Sequence, residues 1–128
     1  MPALSVYEYT LIRIVPRIER GEYVNVGVIL LCRAQRFLDC RITLDPARLH
    51  ALAADLDLEL IGEQLDHIGR ICAGGVAAGP FAELPGYERF RWLSAPRSTI
   101  IQPAPAHSGL CSDPAAELNR LFVWYMGG

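Results

Sequence analysis

Lysine is missing altogether: all twelve basic residues of this 128-residue chain are arginine. A Schiff-base lysine and the phosphate-gripping lysine of a Walker-type loop are therefore excluded. A GC-rich codon bias accounts for Arg in place of Lys, and the physical consequence holds either way. Any anion recognised by a basic side chain here meets a planar guanidinium, which bonds carboxylate or phosphate at two points. Half of the arginines fall between Arg13 and Arg41. The net charge is only −2, so bulk electrostatics does not direct the chain to nucleic acid or to an anionic membrane.

Other absences narrow the chemistry. The four cysteines, Cys32, Cys40, Cys72 and Cys111, show no C-x-x-C spacing, so they lack the close ligand pair of a zinc knuckle. They read as buried free thiols, although Cys32 and Cys40 could face each other across a strand pair. Glu19 and Glu22 flank the first turn and Asp39 and Asp45 bracket the third strand, which is not the close carboxylate pairing at strand ends that metal-assisted hydrolysis calls for. Gly74, Gly75 and Gly79 follow a helix instead of opening one, the wrong polarity for a phosphate loop. Nothing points to a metal or a cofactor. The stretch Met1 to Arg13 has no basic leader followed by an apolar segment, and the run Val26 to Cys32 is too short to span a bilayer. A cytoplasmic location is expected.

What is present reads as one α+β domain over residues 1–128, a length near the commonest domain size. Val6 to Val15 is dense in Tyr, Ile, Val and Thr and predicts a strand that Pro16 ends. Glu22 to Cys32 is apolar at nearly every position from Val24 onward, which predicts a strand covered on both faces. Phe37 to Leu44 alternates and predicts a half-exposed strand. Short connections make these three an antiparallel meander. Asp45-Pro46 starts a short helix, and Asp57 caps a longer one with Ile61, Leu65, Ile68 and Cys72 on one face. Gly74 to Tyr87 is the principal loop. Structure resumes at Tyr87 to Ser94, and a strand is expected from Ser98 to Gln102. Pro103, Pro105 and Gly109 predict an irregular stretch, and Asp113-Pro114 opens a final helix bearing Leu118, Leu121, Phe122 and Tyr125. The expected architecture is an antiparallel sheet of about five strands with about three helices packed on one face.

Three polar residues interrupt apolar strand patterns: Arg13 between Ile12 and Ile14, Asn25 before Val26-Gly27, and Arg97 before Ser98-Thr99. A buried amide or guanidinium costs several kcal/mol unless it is paired. Pairing of Arg13 with Glu22, and of Asn25 with backbone at a bulge made by Gly27, would account for the first two. The alternative is a polar patch that recognises a carboxylate or phosphate. Of the three histidines, His50 and His67 sit in predicted helices. His107 lies in an expected loop and is the one candidate acid or base, with Ser108 and Cys111 nearby as weak nucleophiles.

The segments Tyr9-Thr-Leu-Ile-Arg13-Ile-Val-Pro16 and Arg20-Gly21-Glu22-Tyr-Val-Asn25-Val26-Gly27-Val28 resemble the opening of a bacterial family, Domain of Unknown Function 3037. Trp92-Leu-Ser-Ala-Pro96-Arg97-Ser98, Ile101-Gln102-Pro103, His107-Ser-Gly109-Leu and Asp113-Pro114 are similar to its second signature. That family has no established activity. The resemblance implies a short bacterial protein and a protein partner, a HipA-like serine/threonine kinase in a toxin–antitoxin-like pair. The expected function is a non-enzymatic interaction module, binding a partner protein or a second copy of itself. The binding residues expected are Arg13, Arg20, Glu22, Asn25, Arg97, Ser98, Gln102 and His107. A competing expectation is a small phosphate- or carboxylate-ligand enzyme with Arg13 and Arg97 as anion clamps and His107 as acid/base. It requires those three to converge on one concavity.

Overall fold

A β-hairpin organises the molecule. In the computed structural model, which describes residues 3–75 and 79–127, β1 (Ser5–Ile14) pairs antiparallel with β2 (Val24–Cys32), and β2 with β3 (Phe37–Ile42). The expected meander is present. On its other side β1 pairs with two short strands in succession: β4 (Ile101–Pro103) on residues 12–14 and β5 (His107–Cys111) on residues 5–9. Together they make a five-stranded sheet of order β3-β2-β1-β4, with β5 beside β1.

The expected strand from Ser98 to Gln102 begins later, at Ile101. The stretch expected to be irregular contains β5, which places His107 in a strand and not in a loop. Pro103 is tolerated because β4 is an edge strand, where a missing N–H leaves no ladder bond broken. Between β4 and β5, the Ala104 amide still bonds the Leu11 carbonyl at 2.9 Å.

Among the described residues four α-helices complete the fold: α1 (Pro46–Leu52), α2 (Leu58–Ala73), α3 (Gly86–Ser94) and α4 (Pro114–Tyr125). Asp45, Asp57 and Asp113 each accept from a free first-turn amide, of Arg48, Leu60 and Ala116 respectively. Of the loop expected from Gly74 to Tyr87, residues 76–78 lie outside those described, and Pro80–Glu83 forms a 3-10 turn. None of the helices is long and apolar enough to cross a membrane among the described residues.

The helices do not share one face of the sheet. Ile61 and Leu65 of α2 and Phe90 and Leu93 of α3 pack on Ile12, Ile14, Ile29 and Leu31. Leu118 and Leu121 of α4 pack on the opposite side, against Tyr7, Leu11, Val28, Leu30 and Cys32. β2 supplies both cores, so its reverse face also needs cover, and α4 provides it. The cysteines follow the same division. Cys40 packs with Cys72 on the α2 side, Cys32 lies with Cys111 on the α4 side, and all four are free thiols. Cys32 and Cys40 therefore do not face each other; in register Cys32 opposes Phe37, and Cys40 opposes Ile29.

Candidate interaction site

A β-bulge aligns the polar residues. Ile12 opposes Gly27 but Arg13 opposes Asn25, so Val26 is one residue extra on β2. The extra residue turns Val26 into the α2-side core beside Ile29, against the alternation that would seat it with Val28. Asn25 consequently shares the α4 side with Arg13. Gly27 is required at this point: a Cβ there would lie 2.8 Å from the Arg41 carbonyl oxygen and 3.1 Å from Cδ1 of Ile12. On the far side of β1, Arg13 opposes Gln102. Asn25, Arg13 and Gln102 thus form one row across three adjacent strands.

The Arg13 guanidinium lies 4.1 Å from the centre of the half-exposed Tyr23 ring, which covers it. Its Nε and the Asn25 Oδ1 are both buried without a hydrogen-bond partner among the described residues. Each such orphan costs about 1–3 kcal/mol, so the row holds an unmet donor and an unmet acceptor side by side. The pairing of Arg13 with Glu22 does not form; Glu22 is bonded by Arg20 at 2.9 Å on the exposed β1–β2 connection. The expected bulge at Gly27 is present, but it leaves the Asn25 oxygen unbonded.

His107 opposes Tyr9, and their rings are 5.5 Å apart. The Tyr9 hydroxyl bonds that of Tyr125 on α4 at 2.8 Å, and burial with that bond pushes its pKa up to about 12. His107 itself is exposed and has no hydrogen bond to orient it among the described residues, which leaves a general base without its positioning partner. Arg97 lies elsewhere. It stacks on Trp92, donates to the Trp92 carbonyl at 2.6 Å, and lines a cavity of about 400 Å3 with Ile68 and Ile101. Ile101 belongs to the α2-side core, so Arg97 is on the side of the sheet away from Arg13. Ser98 is exposed next to it. Arg13, Arg97 and His107 therefore do not converge on one concavity. Among the described residues no group of three His, Cys, Asp or Glu side chains could hold a metal ion.

Sequence reasoning missed the apolar end of the same hairpin. Val6 and Leu110 oppose each other across β1 and β5, both 61% exposed, with Leu4 at 65% next to them. Even-numbered β1 residues face the α2 side, but α2 and α3 end short of this pair. The signal was available in Val6 and Leu110 themselves, yet it could not be used while β5 read as a loop. α4 also carries an outward pair, Val123 and Trp124.

Comparison with curated proteins and with solved structures gave no match. A family model, by contrast, covers nearly the whole chain, from residue 9 to residue 126, and so takes in the bulge, the Arg13 row, β5 and α4. The chain belongs to the family described as Protein of unknown function (DUF3037).

Proposed function

We propose that this protein is a cytoplasmic, non-enzymatic interaction module that receives an extended segment of a partner protein along β5. The observation that carries this reading is the bare cross-strand pair Val6–Leu110, flanked by Leu4 at the open end of the sheet. Exposed apolar side chains grouped on a sheet surface mark a contact face more often than a solvated one. β5 is also an edge strand, whose outward amides and carbonyls can bond an added strand while Val6 and Leu110 supply side-chain contact. The row Asn25–Arg13–Gln102 lies farther along the hairpin on the opposite, α4 side of the sheet, and would be a separate contact for a carboxylate of the partner. A HipA-like kinase, the partner implied by the family resemblance, is the first protein to assay.

A photo-reactive phenylalanine analogue placed at Val6 tests the reading in the source cell. The expected product is a cross-link to one partner, lost when Leu110→Glu is added and absent when the analogue replaces exposed Glu59 on α2. Cross-links to a second copy of this chain alone would replace the partner with a homodimer. No cross-link from Val6, or the same products from both positions, would overturn the proposal.

A further inference from the structure

The hollow between the β2–β3 turn and the start of α3 holds about 500 Å3 and is lined by Arg33, Arg36 and Arg89, with no carboxylate in its wall among the described residues. The ion pairs among the described residues engage Arg17, Arg20 and Arg120, so these three guanidiniums have no acidic partner. Three unpaired like charges around one cavity repel each other, and in a chain of net charge −2 nothing in the overall composition demands them.

Two of the three are held in place. Arg33 lies over the Tyr87 ring, 3.9 Å from its centre, which fixes the guanidinium plane and leaves its N–H edges free. Arg89 donates Nε to the Leu84 carbonyl at 2.9 Å and Nη1 to the Ile71 and Cys72 carbonyls at 2.7 and 2.8 Å. Those last two bonds cap the C-terminus of α2 and account structurally for part of Arg89. They leave Nη2 unbonded, near Gly86 in the cavity wall. Arg36 closes the turn Arg33–Gln35 at φ 53°, a left-handed conformation that glycine or asparagine adopts more readily. A cation occupies a position where backbone preference would select against it.

We infer that this hollow is a binding site for a phosphoryl group. A carboxylate offers two oxygens to one guanidinium, whereas three guanidiniums around a hollow suit the three terminal oxygens of a phosphate monoester. Leu31 and Leu38 provide an apolar wall for the organic part of the ester. Prior fixation of Arg33 and Arg89 lowers the ordering cost of binding. The site does not depend on partner docking at Val6 and Leu110, and each can fail without the other.

The test is a titration of the folded protein with inorganic phosphate, phenyl phosphate and a Gly-Gly-phosphoserine-Gly-Gly peptide, read by NMR of the arginine Nε–H groups. Saturable shifts confined to Arg33, Arg36 and Arg89 are expected. Arg33→Gln and Arg36→Gly should each weaken binding about tenfold, a loss of about 1.4 kcal/mol. Arg48→Gln on α1 should leave binding unchanged. Arg36→Gly relieves the left-handed backbone, so its melting temperature should not fall and weaker binding cannot be ascribed to unfolding. The probe bound tightest identifies the source: the peptide a phosphorylated protein, phenyl phosphate a small ester, and equal affinities the phosphoryl group alone. No saturable shift up to about 10 mM, shifts spread evenly over all arginines, or full affinity in the Arg33→Gln/Arg36→Gly double variant would overturn the inference.

Discussion

A single missing carbon sets the register of the site. Gly27 sits where β1, β2 and β3 come together at the bulge, and a Cβ there would press on backbone at 2.8 Å. The strands would have to part or the bulge shift, and either would displace Asn25 from its place opposite Arg13. Gly27→Ala should therefore lower stability by about 1–3 kcal/mol, measured by urea unfolding. Gly69→Ala is the contrast: that position is in α2 and its Cβ would meet nothing within 4 Å, so stability should rise by up to about 1 kcal/mol. Equal losses at both positions would show that crowding at the bulge is not the cause. Gly109 has the same role on β5, because the Tyr7 ring lies across it with its hydroxyl 2.7 Å from where a Cβ would stand.

Helix α4 is joined to the sheet through ionisable groups, so its hold depends on pH. The Tyr7 hydroxyl donates to Glu117, whose carboxylate also accepts two bonds of 2.7 Å from Arg120. The Arg120 bonds hold the Glu117 carboxyl below the usual carboxylate range, with a further contribution from Tyr7. A carboxyl with a lowered native pKa contributes stability that is complete above its unfolded pKa and is lost as pH falls through the native one. Burial and hydrogen bonding raise Tyr7 and Tyr9 from 10.0 to about 12, so the folded chain retains protons that the unfolded chain gives up, and stability falls as pH rises through that interval. Melting temperature against pH should thus decline at both ends. Glu117→Gln should flatten the acid limb and, because Glu117 helps to raise Tyr7, soften the alkaline one as well, whereas Tyr9→Phe should reduce the alkaline limb and leave the acid limb in place. The helix itself was legible from Asp113-Pro114 and the stripe Leu118, Leu121, Phe122 and Tyr125. Its side of the sheet was not, because an amphipathic stripe does not say which surface it covers. The apolar run of β2, with a burial demand on both faces, held that information. β5 was hidden because Pro103, Pro105 and Gly109 are loop signals everywhere except on an edge strand with a ring packed over it. The polar residues were visible one by one, but their row depends on a bulge whose register no local pattern fixes.

At the scale of the molecule, one sheet separates two cores that share β1 and β2. Residues of both cores alternate along the same strands, so neither layer can come apart without exposing the other. Unfolding should be a single cooperative transition. The two tryptophans report on opposite layers, Trp92 from α3 and Trp124 from α4. Trp92→Phe and Trp124→Phe, each leaving one probe, should give coincident fluorescence transitions in urea. Separate midpoints would show that the α4 layer melts on its own.

The break between β4 and β5 bears on more than the path of the chain. Pro103 and Pro105 carry no amide proton, so an incoming strand has little to bond before His107. On this margin of the sheet the ladder open to extension is the five residues of β5, and so short a ladder admits few registers. An edge built this way favours a single guest of defined length over open-ended stacking of copies, and it limits the risk of aggregation inherent in an apolar sheet margin.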